Sequence, residues 1–160
     1  MSALLPALLM LAAMPAMPDT GPVDPCAALK PGASVEARLV VSPVRARDSL
    51  ASVAVCVVTP RESKAKIGSY HGELYFDSTA ARVLRVEKLG GGLRVENTTL
   101  AGRVNFAGAS PSGFAARSLL NVVLRVKKPG ARPKLELKML ELNAIDGTSL
   151  MNRLVIAPTR

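Results

Sequence analysis

Between Tyr70 and Asp77 the chain alternates with a period of two. Tyr70, Gly72, Leu74 and Phe76 fall on one side, and His71, Glu73, Tyr75 and Asp77 on the other, as a half-buried β-strand requires. The same pattern recurs on both sides of this stretch. Ser34 to Ser42 sets Val35, Ala37, Leu39 and Val41 against Glu36, Arg38, Val40 and Ser42, until Pro43 and the charged residues from Arg45 to Asp48 break it. Leu50 to Thr59 is a near-continuous apolar run rich in β-branched residues and is expected to be an interior strand, stopped by Pro60.

After a short polar turn, Val83-Leu84-Arg85-Val86 predicts another strand, and Gly90-Gly91-Gly92 a flexible turn into a short strand from Leu93 to Glu96. Gly102 to Ala109 opposes Val104 and Phe106 to Arg103 and Asn105. Within Ala115 to Lys127, Leu120, Val122, Leu124 and Val126 are expected to point inward before the turn at Lys128-Pro129-Gly130. Lys134 to Leu142 alternates until Leu140, where the phase changes and a bulge is expected. Asp146-Gly147 is a hairpin-type turn, and Leu150 to Ala157 reads as the closing strand. Eight or nine short strands, with no convincing amphipathic helix, predict an all-β antiparallel sandwich of two sheets spanning 34–157. The hydrophobic fraction of 49% is enough for one core, and the aromatic fraction of 3% makes that core aliphatic.

The N-terminal stretch has a different composition. Residues 1–17 carry no charge and hold an apolar run ending in small residues around Ala13 to Ala16, which resembles a secretory signal, although no basic residue precedes Lys30. A membrane anchor is the rival reading, but Pro6 and Pro15 interrupt a run shorter than the ~20 residues that cross a bilayer. Residues 18–33 form a proline-rich connector with at most one helical turn, around Cys26 to Leu29. The expectation is therefore an exported mature chain, periplasmic or at the cell surface, without a transmembrane span. In that setting Cys26 and Cys56, the only cysteines, suggest a disulfide, the alternative being two separate buried thiols.

The formal charge of +9 is spread over the chain from Lys30 to Arg160. With few aromatics and no recognisable motif, it argues against a specific reader of nucleic acid. Catalysis finds little support. With one histidine there is no Ser-His-Asp set, and GASPSG misses the G-x-S-x-G pattern. Glu73 and Asp77 would lie ~13 Å apart on one strand face, without sign of a cleft. Gly90-Gly91-Gly92 lacks the lysine and hydroxyl of a phosphate loop, two cysteines with one histidine are too few for a structural zinc site, and no cofactor is expected. Asn97-Thr98-Thr99 fits a glycosylation acceptor, a common pattern. What remains is a row of outward side chains, His71, Glu73 and Tyr75, which is either a recognition stripe or the solvent face of a sheet.

The order of features from Ser34 onward resembles the cohesin domain, a β-sandwich receptor module, and its relatives among bacterial carbohydrate-binding sandwiches. The matching residues are Tyr75-Phe76-Asp77 followed by a short turn and Val83-Leu84-Arg85-Val86, the Gly90 to Gly92 turn, the Gly102 to Phe106 strand, the Leu120 to Lys127 strand and Asp146-Gly147. The resemblance implies a non-catalytic module that binds a protein, a dockerin or another extracellular partner, through a sheet face including the strand before Asp77. On that strand the family's contact positions fall on Ser69 and His71, so the candidate partner-binding residues are Ser69, His71, Glu73 and Tyr75. The carbohydrate-binding relatives imply polysaccharide as the alternative ligand, although without tryptophan an aromatic platform is hard to build.

Overall fold

The structure is a computed structural model and describes residues 24–42, 45–63, 65–114 and 117–159; the 1–17 leader expected above lies outside them. Nine strands follow in chain order: β1 (Val35–Val41), β2 (Leu50–Val58), β3 (Ile67–Phe76), β4 (Ala81–Val86), β5 (Leu93–Asn97), β6 (Arg103–Ala109), β7 (Ser118–Val126), β8 (Leu135–Ala144) and β9 (Leu154–Ile156). They form a five-stranded sheet in the order β4-β7-β2-β1-β9 and a four-stranded sheet in the order β5-β6-β3-β8. The two-sheet sandwich expected from the alternation is the observed fold. Among the described residues no helix is long and apolar enough to cross a membrane.

Three details differ from the sequence reading, each for a tertiary reason. The closing strand is shorter than Leu150 to Ala157, because a 3-10 turn at Met151–Arg153 carries the chain from one sheet to the other. Its remaining three residues then pair parallel to β1, whereas the other pairings are antiparallel. Third, β7 is buried on both faces: Leu119, Asn121 and Val123 are covered along with Leu120, Val122 and Leu124. The bulge expected at Leu140 is present, since the β3–β8 register skips that residue between Met139 and Glu141.

Period-two burial on β3 organises the interior. Tyr70, Gly72, Leu74 and Phe76 are buried while the residues between them are only partly covered. They meet Val104 and Phe106 of β6, Leu137 and Met139 of β8, and the inner valines and leucines of β2 and β7. Each large aliphatic side chain removed from water contributes about 1.5–3 kcal/mol. Two glycines make the aromatic packing possible. A Cβ on Gly72 would stand 2.5 Å from Phe106 Cζ and 3.1 Å from the Lys138 carbonyl, and one on Gly108 would stand 2.5 Å from Tyr70 Cζ.

Tyr70 spans the two sheets. Its hydroxyl donates to the Leu119 carbonyl of β7 at 3.0 Å and accepts from Arg94 of β5 at 2.9 Å. The Arg94 guanidinium also donates to the carbonyls of Leu119 and Gly90 and lies 4.5 Å from the Phe114 ring centroid. Burial raises the Tyr70 pKa, an effect that Arg94 opposes. The phenol therefore keeps its proton and acts as a donor.

The five-stranded sheet has an additional cover. Cys26 is fully buried against Ala54, Cys56, Leu29 and Val40 on the outer side of that sheet. The turn 24–29 that carries it is closed by Asp24, which accepts from the Cys26 amide at 2.9 Å. A disulfide joins Cys26 to Cys56 across 30 residues, and the Arg117 guanidinium donates to the Leu29 carbonyl at 2.5 Å. This part of the proline-rich connector is packed onto the sandwich.

Two stability outcomes follow. Replacing both cysteines by alanine should lower the unfolding free energy by about 3–4 kcal/mol on the chain-entropy estimate for this loop, measured by urea titration against wild type. Gly72→Ala should cost about 1–3 kcal/mol, because its methyl group must displace the buried Phe106 ring or the β8 backbone; an unchanged urea midpoint would contradict this packing.

Candidate functional site

The outer face of the four-stranded sheet is built by the residues that β3 cannot bury. Its register places His71 between Ala107 of β6 and Glu141 of β8, Ser69 between Ala109 and Asn143, Glu73 between Asn105 and Lys138, and Tyr75 between Arg103 and Glu136. The four sequence-derived candidates thus share one face, in the central pair of strands. On the far side of β6, the exposed residues Leu93 and Val95 of β5 align with Ala109 and Ala107. On the opposite edge the bulge exposes Leu140.

Most polar groups on this face are held by neighbours. Tyr75 donates its hydroxyl to Glu73 Oε2 at 2.5 Å, and Arg103 donates to Glu73 Oε1 at 3.3 Å. The tyrosine hydrogen bond, with Arg103, Lys138 and His71 assisting, holds the Glu73 carboxyl below its ordinary range against a smaller opposing effect of burial. A second cluster forms at the other end, where Asn143 donates to Ser69 Oγ at 3.1 Å and to Glu141 Oε1 at 2.8 Å, while Ser69 donates to the same carboxylate oxygen at 2.9 Å. His71 lies between these clusters beside Ala107, and makes no hydrogen bond among the described residues.

Such a face is suited to surface recognition and poorly suited to proton transfer. Glu73 stays ionised with both oxygens engaged, so it is a poor general acid, and among the described residues no acceptor orients the His71 ring. Among the described residues no group of three or more histidine, cysteine or acidic side chains could hold a metal ion. The electrostatics also set this face apart. Glu73, Glu136 and Glu141 against Arg103 and Lys138 leave a net charge of −1, in a chain of formal charge +9.

The sequence reading missed Leu93, Val95 and Ala107 as members of this face. Their signal was the alternation of two short segments, but which strand lies next to β3 depends on sheet order. Tyr75, the one tyrosine outside the core, is only partly exposed and is engaged by Glu73 and Arg103, whose guanidinium is 6.0 Å from its ring centroid. Phe76, Phe106, Phe114 and Tyr70 are buried.

No protein-family model matches the chain, and no curated protein matches it. Solved structures do. A non-cellulosomal cohesin from the archaeon Archaeoglobus fulgidus is 20% identical and superposes with a TM-score of 0.55 over 79% of this chain and 86% of that one. The sixth cohesin of scaffoldin B from Acetivibrio cellulolyticus, solved in complex with a dockerin, is 13% identical with a TM-score of 0.58 over 78% and 96%. The type I cohesin–dockerin complex of OlpC from Clostridium thermocellum matches at 15% identity and a TM-score of 0.57 over 82% and 94%. The chain has a cohesin-like fold.

Proposed function

We propose that this protein is an exported, non-catalytic interaction module that binds a partner protein through the outer face of the β5-β6-β3-β8 sheet. The observation that carries this reading is the composition of that face. A smooth centre of Ala107, Ala109 and His71 lies between exposed apolar side chains, Leu93 and Val95 on one side and Leu140 on the other. Apolar side chains flanking a nearly charge-balanced surface favour a protein partner over an anionic polymer. The fold likeness to cohesins, two of them solved with dockerins bound, supports a partner of the dockerin kind. Ser69, His71, Glu73 and Tyr75 are the proposed contact residues, with Ala107 beside them. Export is supported by the leader-like composition of residues 1–17 and by the Cys26–Cys56 disulfide. Polysaccharide binding is the weaker alternative, because stacking on sugar rings would rest on Tyr75 alone.

The test is affinity capture from the envelope fraction of the source organism, followed by titration of the captured partner. An Ala107→Arg/His71→Ala variant should fold with an unchanged melting temperature and bind at least about tenfold more weakly, ~1.4 kcal/mol. Hydrogen-exchange protection in the complex should fall on β3 and β6. Equal binding by the variant, or protection on the five-stranded sheet instead, would show that another surface is used.

A further inference from the structure

The sandwich has four edge strands, and three carry features that discourage pairing with another chain. β4 is interrupted by a register shift at Leu84 and presents Arg82 and Arg85. β8 is bulged at Leu140 and lined by Glu136, Lys138 and Glu141. β9 has only three residues. β5 differs: its five residues pair with β6 in unbroken register, it ends its sheet, and Leu93 and Val95 are 71% and 59% exposed.

The direction of its free backbone groups can be worked out. Ser110 donates its amide to the Gly68 carbonyl, and Phe76 donates to Gly102. Even-numbered residues of β6 therefore point their amides and carbonyls at β3, and odd-numbered residues point theirs at β5. Leu93, Val95 and Asn97 face those odd residues in register. Arg94 and Glu96 consequently turn their amides and carbonyls to the open edge.

We propose that β5 pairs antiparallel with β5 of a second copy of this chain, about a two-fold axis at Val95. In that register Arg94 stands opposite Glu96 of the other copy, twice by symmetry, and these are the two residues whose backbone groups are free. Each Arg94–Glu96 pair exchanges two main-chain hydrogen bonds and brings the Glu96 carboxylate to the side of the sheet on which Arg94, bonded to Tyr70 and Leu119 of its own sandwich, also lies. Glu96 has no ion-pair partner among the described residues. Centring the axis on Glu96 would face two free carboxylates, and centring it on Arg94 would set Glu96 opposite Gly92, so the Val95 axis is the one that gives each Glu96 an opposite charge. Val95 then meets its symmetry mate as a non-hydrogen-bonded pair, and Leu93 faces Asn97. The result is one eight-stranded sheet carrying two copies of the outer face side by side. Five residues a side make a small interface, so the association is weak and concentration-dependent.

Sedimentation equilibrium across a concentration series of the purified chain tests this, with three variants. Glu96→Pro removes an amide that faces the open edge and leaves the β5–β6 hydrogen bonds intact, and Glu96→Lys places like charges across the axis. Each should weaken dimerisation at least about tenfold while retaining the wild-type melting temperature. Val95→Cys should form an intermolecular disulfide on oxidation, because symmetry mates in such a pair have Cβ atoms about 4.5–5.5 Å apart, whereas Leu140→Cys, on the opposite edge, should not. A chain that stays monomeric at every concentration, a dimer insensitive to both Glu96 variants, or cross-linking through Leu140→Cys and not Val95→Cys would overturn the proposal. Loss of partner binding in Ala107→Arg/His71→Ala would leave it standing, so the two ideas fail separately.

Discussion

Much of this structure depends on the two-residue period of β3. A strand in the middle of a sheet must place every second side chain in the core, and shifting it by one residue would exchange its faces entirely. Here the shift would bury His71, Glu73 and Tyr75 and expose Leu74 and Phe76. Burial of the aliphatic side therefore fixes the register with β6 and β8, and the polar side becomes a defined surface as a consequence. The candidate face is the complement of the core.

With so few aromatic residues, the core relies on how each is accommodated. Gly72 and Gly108 leave room for the rings of Phe106 and Tyr70, and Tyr70 uses that room to reach across to the carbonyl of Leu119. This brings a polar hydroxyl into an apolar interior, where an unsatisfied group would be costly. Arg94 supplies the second partner from the edge strand and lays its guanidinium against Phe114. One arginine thus closes the open side of the sandwich while its backbone faces outward. The packing that secures β5 to the body also leaves it as the regular, unblocked edge on which self-association is proposed.

The other sheet is finished differently. Its outer surface around Ala54 and Cys56 is apolar, and the turn carrying Cys26 covers it under a disulfide. The middle of one outer face is thus occupied by the chain itself, with Leu84, Val155 and Ile156 exposed only on its edge strands, while the other face displays Leu93, Val95 and Leu140 to solvent and has no such cover among the described residues. The uncovered central strands of that second face are a physical reason to look for a partner on the four-stranded sheet.

The positions of the strands before the last, their inward residues and even the bulge at Leu140 were legible in the sequence, because each depends on local periodicity and turn chemistry. The shared face of His71, Glu73 and Tyr75 was legible for the same reason, since they sit at alternate positions of one strand, whereas Ser69 joined them through the family resemblance. Sheet order was not: it decides that Ala107, Val95 and Leu93 extend that face and that Arg94 meets Tyr70 24 residues away in sequence. Nor could periodicity show that Leu119, Asn121 and Val123 are covered, or that the last strand runs parallel to β1. Local pattern settles which way a side chain points. What it points at is decided by long-range pairing, and only the tertiary structure supplies that.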